Sequence, residues 1–303
     1  MTSSKEKPLQ GLVAAPFTPF HSDLSLNLGV IDEFSAYLAT AGVTGVFVCG
    51  TTGEFASLTL TEREKVAEAW SLAGKRQGLK VIVHVGDNSL ANAQALAQHA
   101  AGLEIDGISM VPPSYFKPDD VGTVMECLRG VAEVAPKCPL YYYHIPGLTG
   151  VEISTSELIR LVSSRIPSFA GVKFSSIDLV ELQRCRALDD GSLNLLFGCD
   201  EMLLAALSLG VDGAVGSTYN YAASLYTKVI AAFQSGRIEE ARQYQRQSVA
   251  LVSLLSQVSP LGAGKSLLKR VGFDFGPVRL PLRSLSSDQQ SAFDRAIDEL
   301  EIF

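Results

Sequence analysis

The α/β fold this sequence predicts is a closed (β/α)8 TIM barrel with additional C-terminal helices, and three observations predict it. Short apolar runs of strand length recur eight times along the chain. Segments of helical period separate them at spacings of roughly 25 to 40 residues, and helical segments continue past the eighth run without another strand. Parallel strands need a crossover between them, so repeated strand-then-helix units read as one parallel sheet. An open, doubly wound sheet is the structural alternative. The barrel is preferred because there are eight units and because no Gly-x-Gly-x-x-Gly turn follows the first run, as a dinucleotide fold would require.

In chain order the candidate strands are Leu12–Ala15, Val46–Val48, Val81–Val85, Gly107–Val111, Leu140–Tyr143, Gly171–Phe174, Leu195–Phe197 and Gly213–Val215. After the second, Thr61-x-x-Glu64 fits a capping box, and Val66, Trp70 and Ala73 then fall on one helical face. Leu90, Ala93, Ala97 and Ala100 make the face of the next helix, and Ser154-x-x-Glu157 is a second capping box ahead of the sixth strand. Beyond the eighth strand come a helix following Tyr219, one from Arg237 to about Val258, a shorter one near Lys265–Val271 and a last from Ser287 to Leu300. Phe275 to Leu282, with two prolines, is the loop between the last two. The expected organisation is therefore a barrel over residues 1–235 and a helical extension over 236–303, packed on the barrel or on a neighbouring subunit.

Composition narrows the function. At 303 residues and 47% hydrophobic content the chain can bury a large core. A net charge of −7 with no Lys/Arg cluster argues against a nucleic-acid surface, whose affinity comes largely from neutralised phosphates. Apolar runs such as Leu203 to Leu209 fall far short of the ~20 residues that span a bilayer, so no membrane partner is expected. Met1 to Gln10 is polar and lacks the apolar core of a signal peptide, which makes the cytoplasm the expected location. The five cysteines are scattered, with no C-x-x-C pair, and suggest neither a disulfide framework nor a zinc site. With four histidines, no His-x-x-His and no carboxylate cluster, no metal or other cofactor is expected.

A barrel of this kind carries its active site at the carboxyl ends of the strands. The residues there are Thr51-Thr52-Gly53-Glu54 after the second strand, Pro112 to Tyr115 after the fourth, Tyr143-His144 at the fifth, and Lys173 at the sixth. Gly198-Cys199-Asp200-Glu201 follows the seventh, and Gly216-Ser217 the eighth. A lysine at the end of an apolar run is either a strand-end residue with its ammonium in solvent or a buried amine with a lowered pKa. A neutral amine attacks a ketone to give an imine, and a nearby phenol can move the proton that leaves a hydroxyl as a C–C bond breaks. Small hydroxyl residues beside glycine let backbone N–H groups approach a carboxylate. Plainer readings stand beside these. Tyr141 and Tyr142 fit aromatic strand filling, Thr51-Thr52-Gly53 an ordinary turn, His144 a satisfied strand-end histidine, and Asp200-Glu201 a cap on the next helix. A silent barrel that merely binds a sugar acid or a protein is a further reading, weighed against by the joint presence of Lys173 and Tyr143.

Gly50-Thr51-Thr52-Gly53-Glu54, Tyr143 with the Ile145-Pro146 after it, and Gly171-Val172-Lys173 resemble, in order and spacing, the motifs of the pyruvate-dependent class I aldolases. That family includes dihydrodipicolinate synthase and N-acetylneuraminate lyase, and the similarity runs over nearly the whole chain. Tyr141 to Val151, Phe197 to Glu201 and Gly213 to Asn220 are most similar to its sialic acid-cleaving branch. The synthases usually carry an arginine at the position of Leu148, where it meets a second carboxylate; a related synthase or aldolase acting on another 2-keto acid is the alternative that Leu148 weakens. The resemblance implies reversible cleavage of N-acetylneuraminate to pyruvate and N-acetylmannosamine. Under it Lys173 forms the imine, Tyr143 moves the proton of the C4 hydroxyl, and Thr51 and Thr52 hold the pyruvoyl carboxylate. Gly198, Asp200, Glu201, Gly216 and Ser217 hold the hydroxylated tail, Ser175 sits near the bond that breaks, and Tyr115 crosses a subunit contact to extend the tyrosine relay. A homotetramer is implied in the same way.

Overall fold

The computed structural model describes residues 9–188 and 193–302. Its eight strands are β1 (Gly11–Ala14), β2 (Val43–Val48), β3 (Lys80–His84), β4 (Gly107–Met110), β5 (Leu140–His144), β6 (Phe169–Phe174), β7 (Asn194–Phe197) and β8 (Gly213–Gly216). All pair in parallel in sequence order, and β1 closes the barrel on β8 with Gly11 opposite Gly213 and Ala14 opposite Gly216. The (β/α)8 barrel is thus observed, with every predicted strand present and shifted at its ends by up to three residues.

The helices of the outer ring are α1 (Ile31–Thr40), α2 (Leu60–Gln77), α3 (Leu90–Ala100), α4 (Val121–Val134), the single turn α5 (Pro146–Thr149), α6 (Thr155–Ser163), α7 (Leu179–Ala187), α8 (Leu203–Ser208) and α9 (Tyr219–Gln234). The C-terminal helices are α10 (Ile238–Ser256), α11 (Pro260–Arg270) and α12 (Ser287–Asp298). One sequence expectation is corrected. The capping box of α2 is Thr59 with Glu62, not Thr61 with Glu64. The two patterns interleave in Thr59-Leu-Thr-Glu-Arg-Glu64, and Glu62 is the one fixed by a distant partner, the Arg279 guanidinium, at 2.6 and 2.8 Å. Ser154 does cap α6, accepting the N–H of Glu157, but this is half of the expected box, since no return bond from the Ser154 N–H to the Glu157 side chain accompanies it.

Strand alternation divides the core in two. Phe47, Ile82, Tyr141, Tyr143, Leu196 and Val215 point into the barrel, while Val46, Val48, Val81, Val83, Tyr142 and Val172 face the helices. The barrel interior is filled by side chains, so access to any inward residue is from the ends of the strands. At the amino end Asn194 closes it, with Tyr141 Oη donating to Asn194 Oδ1 at 3.2 Å and Asn194 Nδ2 donating to the Leu9 carbonyl at 3.0 Å. At the carboxyl end the inward positions become polar.

Candidate active site

Tyr143 and Lys173 are directly opposite one another across β5 and β6, and both point inward at the carboxyl end. Lys173 is 4% exposed. Its Nζ lies over two ring faces, 3.9 Å from the centroid of Phe47 and 3.9 Å from that of Tyr143. Burial pulls the Lys173 pKa below the usual 10.5, and the neighbouring Tyr143 opposes the shift. The first of the two readings of this lysine, an ammonium in solvent, is therefore excluded.

Tyr143 Oη is 3.2 Å from Thr51 Oγ1 on the turn after β2. That turn is not an ordinary one. Cys49 and Glu54 both take left-handed backbone angles, with φ of 55° and 57°, a conformation that costs a side-chain-bearing residue on the order of 1 kcal/mol. Glu54 N–H returns to the Thr51 carbonyl at 3.0 Å, and Thr18 Oγ1 donates to the Gly53 carbonyl at 2.6 Å. The result is a tight loop that presents Thr51 and Thr52 toward Lys173.

On the other side of the mouth, Asp200 and Glu201 open a 3₁₀ turn after β7. Asp200 does not cap a helix. Its Oδ2 accepts from Thr218 Oγ1 at 2.6 Å and from Thr218 N–H at 3.2 Å, while Oδ1 is buried with no hydrogen-bond partner. An unpartnered carboxylate oxygen in a buried place is costly unless a donor arrives, so Oδ1 is an acceptor in waiting. Burial raises the pKa of both Asp200 and Glu201, with Thr218 opposing the shift at Asp200. Two glycines make the room. A Cβ on Gly216 would come within 2.0 Å of Asp200 Oδ1, and one on Gly198 within 2.0 Å of Ser175 Oγ.

One cleft of about 230 Å3 gathers Thr51, Thr52, Tyr143, Lys173, Ser175, Gly198, Asp200, Glu201, Gly216 and Ser217. Every candidate residue read from the sequence is in it except Tyr115. Tyr115 stands out in solvent at 79% exposure, its ring edge-on to Phe116 and its N–H donated to Asn88 Oδ1. Val111, not Tyr115, fills the inward position beyond β4. Leu148, in α5, is also exposed, at 66%, and brings no charge to the mouth. A larger hollow of about 990 Å3 opens beside the C-terminal helices, but its charges are spent on each other, with Lys269 on Asp274 and Arg270 on Asp294.

Sequence reasoning missed three contributors. Phe47 supplies half of the ring cage around Nζ, and its position between outward-facing Val46 and Val48 was the available signal. Thr218 orients Asp200. His84, at the end of β3, packs 5.7 Å from the Tyr143 ring and accepts the Gly86 N–H on Nδ1, with its pKa driven well below 6.5 by burial and by the cations Arg63 and Lys173. His144, by contrast, lies outside the barrel wall, 4.8 Å from the Phe174 ring. Its Nδ1 has no hydrogen-bond partner, against the expectation of a satisfied histidine, and burial holds its pKa at about 4. Tyr141 and Tyr142 are strand filling, inside and outside the barrel respectively.

The arrangement is a buried amine, an adjacent phenol, a hydroxyl-lined turn and a carboxylate with a free oxygen. It suits the formation of an imine on a small carbonyl compound that carries an anionic end and a hydroxylated end. The Dihydrodipicolinate synthetase family profile matches residues 8–300 of this chain. The N-acetylneuraminate lyase of Rattus norvegicus is 42% identical over 292 residues, covering 93% of this chain and 90% of that protein. That of Gallus gallus is 43% identical, covering 93% of each. Among solved structures, Proteus mirabilis N-acetylneuraminate lyase superposes with a TM-score of 0.95 at 38% identity, covering 98% of this chain and 100% of that one.

Proposed function

The chain belongs to the Dihydrodipicolinate synthetase family, and from that premise we propose that it is a class I aldolase that reversibly cleaves N-acetylneuraminate to pyruvate and N-acetylmannosamine. The observation that carries the chemistry is the pairing of a buried Lys173 with Tyr143 in one cleft with Thr51. Relatives named for this substrate, at about two-fifths identity over nearly the whole chain, carry the choice of sugar.

In this reading the neutral Lys173 amine adds to the C2 ketone of the open-chain sugar acid, and loss of water gives the protonated imine. Thr51 and Thr52 hold the adjacent carboxylate through hydroxyl and backbone donors. Tyr143 Oη takes the proton of the C4 hydroxyl, the C3–C4 pair flows toward the imine nitrogen, and N-acetylmannosamine leaves as the aldehyde. The enamine left on Lys173 takes a proton at C3 through Tyr143, and water releases pyruvate and restores the amine. The Phe47 and Tyr143 rings favour a cation at Nζ, which is what the protonated imine is. Asp200 Oδ1, Glu201 and Ser217 receive hydroxyls of the tail, and Ser175 sits near the bond that breaks. Such a site rejects analogues that lack those hydroxyls, because its buried acceptors would stay unpaired.

Leu148 weighs against a substrate with a second carboxylate, since its own side chain carries no charge. The exposed apolar side chains Tyr115, Phe116 and Leu148 on neighbouring rim loops support a homotetramer in which Tyr115 reaches the site of another subunit. Five free cysteines suit the reducing cytoplasm, and no described helix is long and apolar enough to cross a membrane. The purified protein should release pyruvate from N-acetylneuraminate, and borohydride added with pyruvate should leave a reduced adduct on Lys173. Lys173→Ala should lose turnover by at least about a thousandfold while keeping its fold. Retention of most activity by that variant, or faster condensation of pyruvate with aspartate semialdehyde than cleavage of the sugar, would contradict the reading.

A further inference from the structure

Glu54 lies outside the cleft, and the chemistry above leaves it idle, yet its side chain is fully buried. It is gripped from the C-terminal extension. Lys265 of α11, its side chain 3% exposed, places Nζ 2.9 Å from Glu54 Oε1, and Oε2 accepts the Arg279 N–H at 2.8 Å. Lys265 also donates to the Pro277 carbonyl at 2.7 Å and lies 4.3 Å over the Phe20 ring. With Thr18 on the Gly53 carbonyl, the turn that carries Thr51 and Thr52 is held by the segment after β1, by α11 and by the loop of Pro277 and Arg279.

A buried ion pair is a poor device for stability, since well-packed apolar side chains of similar volume often serve as well. What it supplies is fixed geometry: one Glu54 oxygen takes the Arg279 N–H, the other lies 2.9 Å from the Lys265 ammonium, and removing either member of the ion pair strands a charge. The turn has need of this. Left-handed Cys49 and Glu54 keep their angles only while the surroundings over-determine them.

We propose that Glu54 and Lys265 are positioning residues, whose pair sets the Gly50–Glu54 turn so that Thr51 and Thr52 meet the carboxylate of pyruvate, making α11 part of the active site. The inference rests on the reading of Lys173 as the imine lysine and of Thr51 and Thr52 as the carboxylate grip. It has a selective consequence. A 2-keto acid needs the turn, whereas a ketone without a carboxylate reaches Lys173 without it.

The test is borohydride trapping at Lys173 in the full chain, with pyruvate and with hydroxyacetone, comparing the unaltered protein with Lys265→Met and Glu54→Gln. The pyruvate concentration for half-maximal trapping should rise roughly tenfold or more in Lys265→Met, within the range that small misplacements of binding groups produce. Hydroxyacetone trapping should stay within about twofold, since it makes no use of the grip. Glu54→Gln keeps the side chain's shape and an acceptor for the Arg279 N–H, and it carries the test alone should Lys265→Met not fold. An unchanged half-saturation for pyruvate overturns the proposal. So does an equal loss with both ketones, which would mark general loosening. Absence of any adduct in the unaltered protein is a different result, because it removes the imine reading itself.

Discussion

The Lys173 Nζ lies over two ring faces, each centroid 3.9 Å away, and Tyr143, with Asp200 behind it, favours its charge. Burial favours the neutral amine, and the rings, with Tyr143, favour the cation, so the pKa comes to rest below 10.5 but is held back from falling further. Trapping by pyruvate and borohydride needs the neutral amine and should therefore rise with pH through a Lys173 pKa lower than that of an ordinary lysine. Phe47→Leu removes one ring face and with it some of the preference for the cation, worth roughly 0.5–2 kcal/mol. The rising limb of the pH profile should move about half a unit or more toward acid. A limb that stays in place, or moves toward alkali, would show that Phe47 does not stabilise the cation. At the opposite wall, Gly216→Ala would drive a methyl into Asp200 Oδ1. Its expected signature is a raised KM for N-acetylneuraminate with pyruvate trapping unchanged, and equal damage to both would place Asp200 nearer the imine than the tail.

Asp200 is also held by a helix that is not part of the barrel. Its carbonyl accepts from Ser248 Oγ at 3.0 Å and from Gln245 Nε2 at 3.2 Å, while Gln245 Oε1 takes the N–H of Leu204 at 2.7 Å. Helix α10 thus clamps the turn between β7 and α8 from outside. Gln245→Ala breaks two of these bonds at a net cost of about 1 kcal/mol each, and should raise the KM for the sugar several-fold with little change in kcat. Kinetics in which kcat alone falls would assign α10 another role. The element scale also shows how far the sequence could be read. Eight apolar runs gave eight strands, and a lysine and a tyrosine at neighbouring strand ends gave the heart of the site, because side-chain direction in a strand follows from its period of two. The start of α2 could not be read locally. Thr59 and Thr61 offer equivalent capping boxes, and the choice rests on Arg279, which reaches Glu62 from a loop far along the chain. Thr218, Gln245 and Lys265 were illegible for the same reason: each acts through a polar contact between elements remote in sequence, and no periodicity records that.

Across the whole molecule, the C-terminal extension is fastened to the barrel by charges at more than one depth. Lys265 meets Glu54 in the interior, and Arg279 meets Glu62 nearer the surface, where it also donates to the Ser57 and Leu24 carbonyls. The Arg279 hydrogen bonds hold the Glu62 carboxyl at about 2, against 4.5 for a free glutamate. A folded-state pKa depressed in this way contributes stability that is complete above about 4.5 and is lost as the pH falls through about 2. Acid should therefore loosen the attachment of the extension between those limits. Because Arg279 lends its own N–H to Glu54, the turn bearing Thr51 should lose its hold in the same range. Amide hydrogen exchange across residues 260–302, followed from pH 5 down to pH 2, should show protection falling in this window in the unaltered protein. Glu62→Gln has no proton to gain there, so its protection should start lower and lose that part of the pH dependence. If the two proteins instead share one acid profile, the Arg279–Glu62 contact is not what fastens the extension in acid.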